Sequence, residues 1–127
     1  MQCSKNSLYC VIDPLDFELI IINLLRNAYE AVQSSGIKPV IYIEVNGLGD
    51  YITVAVEDNG MPVSDSLFAN LGKEPTSTKE EGLGLGLTIV TSLVENFGGN
   101  VTFYRSLTGG LKVVISLPGV KEQTHDD

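Results

Sequence analysis

Apolar and polar positions change period several times along this chain, and each change marks an element. Residues 8–12, LYCVI, form a short apolar run that predicts a strand, closed by Asp13-Pro14, a pair suited to the N-cap and first turn of a helix. From Leu15 to about Ser34, the residues Leu19, Ile22, Leu25, Ala28 and Val32 recur at helical spacing, and Gly36 supplies a C-terminal stop. Residues 40–46 and 51–57 are rich in β-branched and aromatic side chains, with turn chemistry at Asn46-Gly47-Leu48-Gly49-Asp50 between them, so they predict a hairpin. From Asp58 to about Glu81 the chain is dominated by Gly, Pro, Ser, Thr and charge, with one short helical turn expected at 64–71 under a Ser64 cap. A loop of that length in a small domain carries function or mobility. A second helix is expected over 87–97, on Leu87, Ile89, Val90, Leu93 and Val94, and it ends at Gly98-Gly99. A second hairpin follows, 100–105 with 111–118, joined through Thr108-Gly109-Gly110.

This order predicts an α+β two-layer sandwich: a mixed, mostly antiparallel sheet of about five strands with the helices on one face. The folded domain is expected over 8–118, with residues 1–7 and the acidic tail 119–127 flexible.

Length and charge narrow the partners. A chain of 127 residues, 43% apolar, suffices for one domain with a core, and no internal repeat or linker divides it. Sixteen acidic against eight basic side chains give a net charge of -8, which argues against nucleic acid or anionic lipid as partner. No apolar run approaches the roughly 20 residues of a membrane span, and MQCSKNS lacks the apolar stretch of a secretory signal, so a cytoplasmic location is expected. Cys3 and Cys10 suggest neither a disulfide framework nor a zinc site; both read as reduced thiols, with Cys10 buried.

Three segments could carry chemistry. Asn23 and Asn27 stand four apart in the first helix, and Glu30 extends the polar line. Amides are costly to bury unpaired, so neighbouring backbone or a ligand such as hydrated magnesium must satisfy them. Asp58-Asn59-Gly60 ends a strand, setting a carboxylate at the margin of the sheet with a glycine that permits close approach; an ordinary Asx turn is the bland alternative. Gly82-Leu83-Gly84-Leu85-Gly86-Leu87 precedes a helix, where bare amides and the positive helix end can cradle phosphates, or where a hinge or tight packing needs glycine. It is neither a Walker sequence nor the dinucleotide fingerprint, because Leu87 stands where the third glycine belongs. Lys73 and Lys79 are the only cations of the long loop, and Ser77 and Thr78 offer hydroxyls beside them. His125, the single histidine, lies in the acidic tail outside any expected element.

In order, N-L-L-R-N-A-Y-E-A at 23–31, E-D-N-G at 57–60, S-T-K at 77–79, G-L-G-L-G-L at 82–87 and the closing L-P at 117–118 resemble the catalytic ATP-binding domain of sensor histidine kinases. The resemblance spans nearly the whole chain, from about Leu8 to Pro118. It implies the Bergerat fold shared with gyrase, Hsp90 and MutL, with ATP under a lid at about 61–81. By the same resemblance, Asn27 coordinates Mg²⁺, with Asn23 and Glu30 beside it on the helix; Asp58 accepts from the adenine amino group and Gly60 lets the base pack. Gly82, Leu83, Gly84, Leu85, Gly86 and Leu87 line the phosphates, with Ser77, Thr78 and Lys79 closing from the lid. The lid of relatives carries a paired-Phe motif where this chain has Phe68 alone.

The implied reaction is phosphoryl transfer from ATP to a histidine on a separate dimerisation domain, and then indirectly to a response regulator. The fragment itself is expected to be a monomer. Three other readings share the fold: an ATP hydrolase, a serine kinase acting as an anti-sigma factor, and a degenerate nucleotide-binding or scaffold module. Hydrolases of this kind place a glutamate one turn before the metal-binding Asn; Asn23 holds that place here and its amide cannot take a proton from water, so hydrolysis is expected to be slow unless Glu30, on the same face, substitutes. The N-A-Y-E-A wording fits sensor kinases better than anti-sigma kinases.

Overall fold

A computed structural model of the chain describes residues 8–33, 35–73 and 84–121. The elements run β1 (Leu8–Tyr9), α1 (Pro14–Gln33), β2 (Ile41–Leu48), β3 (Tyr51–Asp58), α2 (Asp65–Ala69), α3 (Gly84–Asn96), β4 (Asn100–Arg105), β5 (Leu111–Pro118) and β6 (Val120–Lys121). Four strands form one antiparallel sheet in the order β2-β3-β5-β4, and β1 pairs antiparallel with β6 in a separate two-stranded ladder. The layout is the expected α+β one, with two differences of detail. The described main sheet has four strands and is antiparallel throughout, because the apolar run at 8–12 contributes only a two-residue strand outside it. Val120 and Lys121, placed by the sequence in a loose tail, pair with Tyr9 and Leu8.

Local chemistry explains most boundaries. Asp13 caps α1 by accepting the Leu15 N–H at 2.8 Å, and Pro14 follows where a missing N–H costs nothing. Leu48 faces Tyr51 across the first hairpin, and Gly49 takes φ +61 at the first central position, as a type II′ turn requires. Ser64 caps α2 through the Leu67 N–H.

The core lies between the sheet and α1 and α3. Along β5, Leu111, Val113, Ile115 and Leu117 are buried in strict alternation and meet Val54 and Val56 of β3. Ile20, Leu24, Ala28 and Val32 of α1, with Leu87, Val90 and Val94 of α3, close over them. Each large aliphatic side chain so buried contributes about 1.5–3 kcal/mol.

The stripe expected to carry α1 is only partly the one that does. Leu19 and Ile22 stay 47% and 41% exposed, while Ile20 and Leu24 are sealed. The helix is apolar on two faces, and periodicity alone cannot tell which one the sheet takes. Cys10, expected inside, is only half-buried, and burial pushes its thiol pKa up. The second helix begins at Gly84, three residues before the expected Leu87, so two glycines form its first turn. Their low helix propensity argued against this start, and tertiary packing overrides it.

Candidate functional site

Asn23, Asn27 and Ala31 follow one another at four-residue steps along one face of α1, a span of about 12 Å at 1.5 Å per residue. Each end of this line meets a different part of the chain. At the Asn23 end stands Gly86 in the first turn of α3, where an added Cβ would lie 3.1 Å from Asn23 Oδ1. At the Ala31 end stands Gly60, where a Cβ would collide with the Ala31 carbonyl group and lie 2.7 Å from its Cβ. The Met61 N–H donates to the Ala31 carbonyl oxygen at 3.3 Å, fixing this contact. Asn27 sits between the two ends.

The two amides are used differently. Asn23 Nδ2 donates to the Leu19 carbonyl oxygen at 2.7 Å, which commits one of its two N–H groups to its own helix and leaves Oδ1, an acceptor, toward Gly86. Asn27 is only 7% exposed. Its amide has no hydrogen-bond partner among the described residues, yet no sealed polar side-chain atom there lacks one, so the amide keeps some contact with solvent. Glu30 is exposed.

Asp58 ends β3 at 3% exposure. Its Oδ1 accepts the Gly60 N–H at 2.8 Å and the Leu111 N–H at 3.5 Å. The first bond is an Asx turn, so the bland expectation for this tripeptide is also met, and one carboxylate oxygen performs it. The other, Oδ2, is left for an outside donor. Burial pushes the Asp58 pKa up; the two backbone donors oppose this, and the neighbouring Glu57 carboxylate adds to it. Asn59 is structural: its Oδ1 accepts the Val40 N–H and its Nδ2 donates to the Lys38 carbonyl oxygen, tying the end of β3 to the approach of β2.

Beyond Gly60 the chain is anchored at both described ends. The Arg105 guanidinium donates to the Val63 carbonyl oxygen at 2.7 Å and to Asp65 Oδ1 at 2.6 Å, and covers the Phe68 ring at 4.6 Å. This gives the lone Phe68 a cation as its partner. Gly72, at φ +73, tucks against Thr91 and Phe103, and Thr88 Oγ1 donates to the Lys73 carbonyl oxygen at 2.7 Å.

Of the residues singled out by sequence, Asn23 and Asn27 share one face of α1, Gly86 and Gly60 pack against that face, and Asp58 joins them through its bond from the Gly60 N–H. Ser77, Thr78, Lys79, Gly82 and Leu83 lie outside the described residues, as does His125. For Gly84 and Leu85 the structure describes the backbone, in the first turn of α3. Leu87 is fully buried in the core, where its side chain holds α3 to the sheet. Sequence reasoning missed Gly110 and Leu111. A Cβ on Gly110 would strike both the backbone oxygen and Oδ1 of Asp58, so only glycine leaves room there. Gly109, at φ +104, supplies the turn, and the second glycine of the pair was the available signal for a close approach.

Residues 12–121 match the family described as histidine kinase-, DNA gyrase B-, and HSP90-like ATPase. Among curated proteins, sporulation kinase B of Bacillus subtilis is 35% identical over 106 residues, covering 84% of this chain and 24% of its own length. The sensor protein FixL of Bradyrhizobium diazoefficiens is 31% identical over 110 residues, covering 87% and 22%. The chain thus spans less than a quarter of the length of these relatives. Among solved structures, the catalytic domain of histidine kinase ThkA, in a nucleotide-free form, superposes with a TM-score of 0.70 at 26% identity, covering 84% of this chain and 67% of the other.

Proposed function

The chain belongs to the histidine kinase-, DNA gyrase B- and HSP90-like ATPase family, and from that premise we propose that it binds Mg-ATP and donates the γ-phosphoryl group to a histidine on a separate dimerisation and phosphoacceptor domain of a two-component sensor kinase. The observation that carries this reading is the single α1 face on which Asn23 meets Gly86 and Ala31 meets Gly60, with Asn27 between them. In this reading the adenine amino group donates to Asp58 Oδ2, and Gly60 and Gly110 keep Cβ atoms out of the base pocket. The phosphates lie toward the first turn of α3, where backbone N–H groups that have no partner within the helix, and the helix dipole, favour negative charge.

The donor set fits magnesium. The described residues hold no cluster of three or more His, Cys, Asp or Glu, and a hard cation that keeps its waters needs only one or two protein oxygens plus phosphate. Asn27 is assigned as the protein ligand, through an amide oxygen left without a protein partner, and Asn23 Oδ1 as acceptor for a metal-bound water. The cation, when bound, neutralises phosphate charge. The rest is orientation: amides and main-chain donors hold the triphosphate in line with an incoming imidazole. Neither Asn23 nor Asn27 can act as a general base, so hydrolysis by the isolated domain is expected to be slow, with Glu30 as the one carboxylate of that line that could substitute.

We assign residues 8–118 to this catalytic domain, with the lid over about 61–81, of which 61–73 are described. A response regulator is the downstream recipient. Among the described residues no helix is long and apolar enough to cross a membrane.

Calorimetric titration with a non-hydrolysable ATP analogue and magnesium tests the reading, followed by labelled transfer to a supplied histidine-bearing helical domain. Saturable binding and labelled histidine are expected. A folded chain that ignores millimolar nucleotide would be a scaffold, and brisk phosphate release by the isolated chain would make it a hydrolase.

A further inference from the structure

Three polar or charged side chains are buried among the described residues: Asn27, Asp58 and Ser106. The first two already have roles in the nucleotide reading. Ser106, 7% exposed, stands in the β4–β5 turn and has none.

Its hydroxyl is fully engaged. Ser106 Oγ donates to Glu57 Oε2, in a short bond. With that proton committed, the same oxygen accepts from Thr108 Oγ1 at 2.7 Å and from the Thr108 N–H at 3.2 Å. Main-chain bonds close the turn around it: the Ser106 N–H donates to the Gly110 carbonyl oxygen at 2.8 Å, and the Gly109 N–H donates to the Ser106 carbonyl oxygen at 3.0 Å.

The connection runs between strands that are not neighbours. In the order β2-β3-β5-β4, Ser106 reaches from the end of β4 past β5 to Glu57 on β3. Glu57 and Asp58 are consecutive and point to opposite faces of the sheet. The turn is therefore fastened to one face by Ser106 and pressed on the other by Gly110 and Leu111, which meet Asp58 itself.

Resting on the nucleotide reading above, we infer that Ser106 is a positioning residue for base recognition. Its bond to Glu57 holds the β4–β5 turn so that Gly110 and the Leu111 N–H keep Asp58 Oδ1 occupied and Oδ2 aimed at the base. Without it the turn drifts, Oδ1 loses its weaker donor, and the carboxylate rotates away from a fixed acceptor geometry. The loss falls on the base and spares the phosphates, so the chain loses discrimination before it loses affinity for polyphosphate.

The test uses the full 127-residue chain, with Ser106→Ala, Glu57→Ala and Glu57→Gln. Dissociation constants for ADP and GDP with magnesium, and hydrogen exchange at the Leu111 amide without nucleotide, are the readouts. Ser106→Ala and Glu57→Ala should each weaken ADP roughly tenfold, as expected for losing one geometrically fixed acceptor. They should also shrink the ADP-over-GDP preference and speed exchange at Leu111. Combined, the two should cost no more than one alone, since both break one bond. Glu57→Gln, which keeps an accepting oxygen, should stay near the unaltered chain. If Ser106→Ala does not fold, Glu57→Ala breaks the same bond from a less buried partner. An unmoved base preference, or equal weakening of both nucleotides without faster exchange at Leu111, overturns the role of Ser106 alone. If the unaltered chain binds no adenine nucleotide, the reading beneath it falls as well.

Discussion

The two ends of the α1 face are built on different principles. At the Ala31 end the main chain does the work: Asp58 is held by two backbone N–H groups, and glycines at 60 and 110 fit against atoms that leave no space for a side chain. Its geometry is set before any ligand arrives. At the Asn23 end one side-chain amide faces the glycine start of α3 with its oxygen toward Gly86, and one turn further along the helix Asn27 has no hydrogen-bond partner among the described residues. In the proposed reading, that end is completed by the ligand. A base is rigid and planar and rewards a preformed acceptor; a hydrated cation and a triphosphate reward groups that can adjust.

Substitutions at the two ends should therefore separate binding, transfer and stability. The largest effect is expected for Asn27→Ala: phosphotransfer to a supplied histidine domain should fall on the order of 100-fold, as for loss of one transition-state stabilising group, while analogue binding changes little. Full transfer by this variant in a single-turnover assay would remove Asn27 from the metal site.

Asp58→Asn should weaken adenine nucleotide by about 10–100-fold, because an amide placed there turns a donor toward the base amino group, so that two donors face each other unpaired once the base is bound. Stability should move the other way. A carboxyl whose folded pKa stands above its ordinary value of 3.8 binds more protons folded than unfolded, so it favours folding below that window and loses this contribution as pH rises through it. The ionised group is thus a cost at neutral pH, and the Asn variant should melt at an equal or higher temperature there. Nucleotide binding by the unaltered chain should fade on the acid side as Asp58 takes up its proton. A melting temperature that drops with binding would show that Asp58 serves the fold instead.

The two glycine contacts give smaller effects of opposite sign. Gly60→Ala forces a Cβ into Ala31 and should destabilise by about 1–3 kcal/mol in urea denaturation. Gly86→Ala meets only a tight contact with Asn23 Oδ1 and gains helix propensity, so stability should hold or rise by up to about 1 kcal/mol while transfer slows. If both glycines behaved alike, the contrast between a rigid end and an adjustable end would fail.

Much of this was legible in the sequence where a local rule acts alone. Both hairpins and the Asp13 and Ser64 caps follow from turn chemistry and capping, whereas Asn23, Asn27, Asp58, Gly60 and Gly86 each have a bland local reading and are joined into one set only by the family resemblance. What escaped depends on which surfaces meet. Two apolar stripes on α1 made Leu19 and Ile22 look as good as Ile20 and Leu24. Helix propensity set the start of α3 too late, because the packing of Gly86 on Asn23 is invisible in one dimension. Ser106 escaped because a serine in a turn is common, and its burial comes from a contact across 49 residues of sequence.

The small ladder of β1 with β6 bears on how the domain responds to force. Leu8 faces Lys121 and Tyr9 faces Val120, so opposing tension on those outer residues loads one rung and then the next, in the manner of a zipper. Two rungs outside the main core offer little resistance. The next main-chain tie, from the Gly119 N–H to the Asp50 carbonyl oxygen, holds the far hairpin instead of the nucleotide face. A pull of that kind would spend itself in peeling this ladder, and α1 would keep its grip on the sheet after the strands had parted.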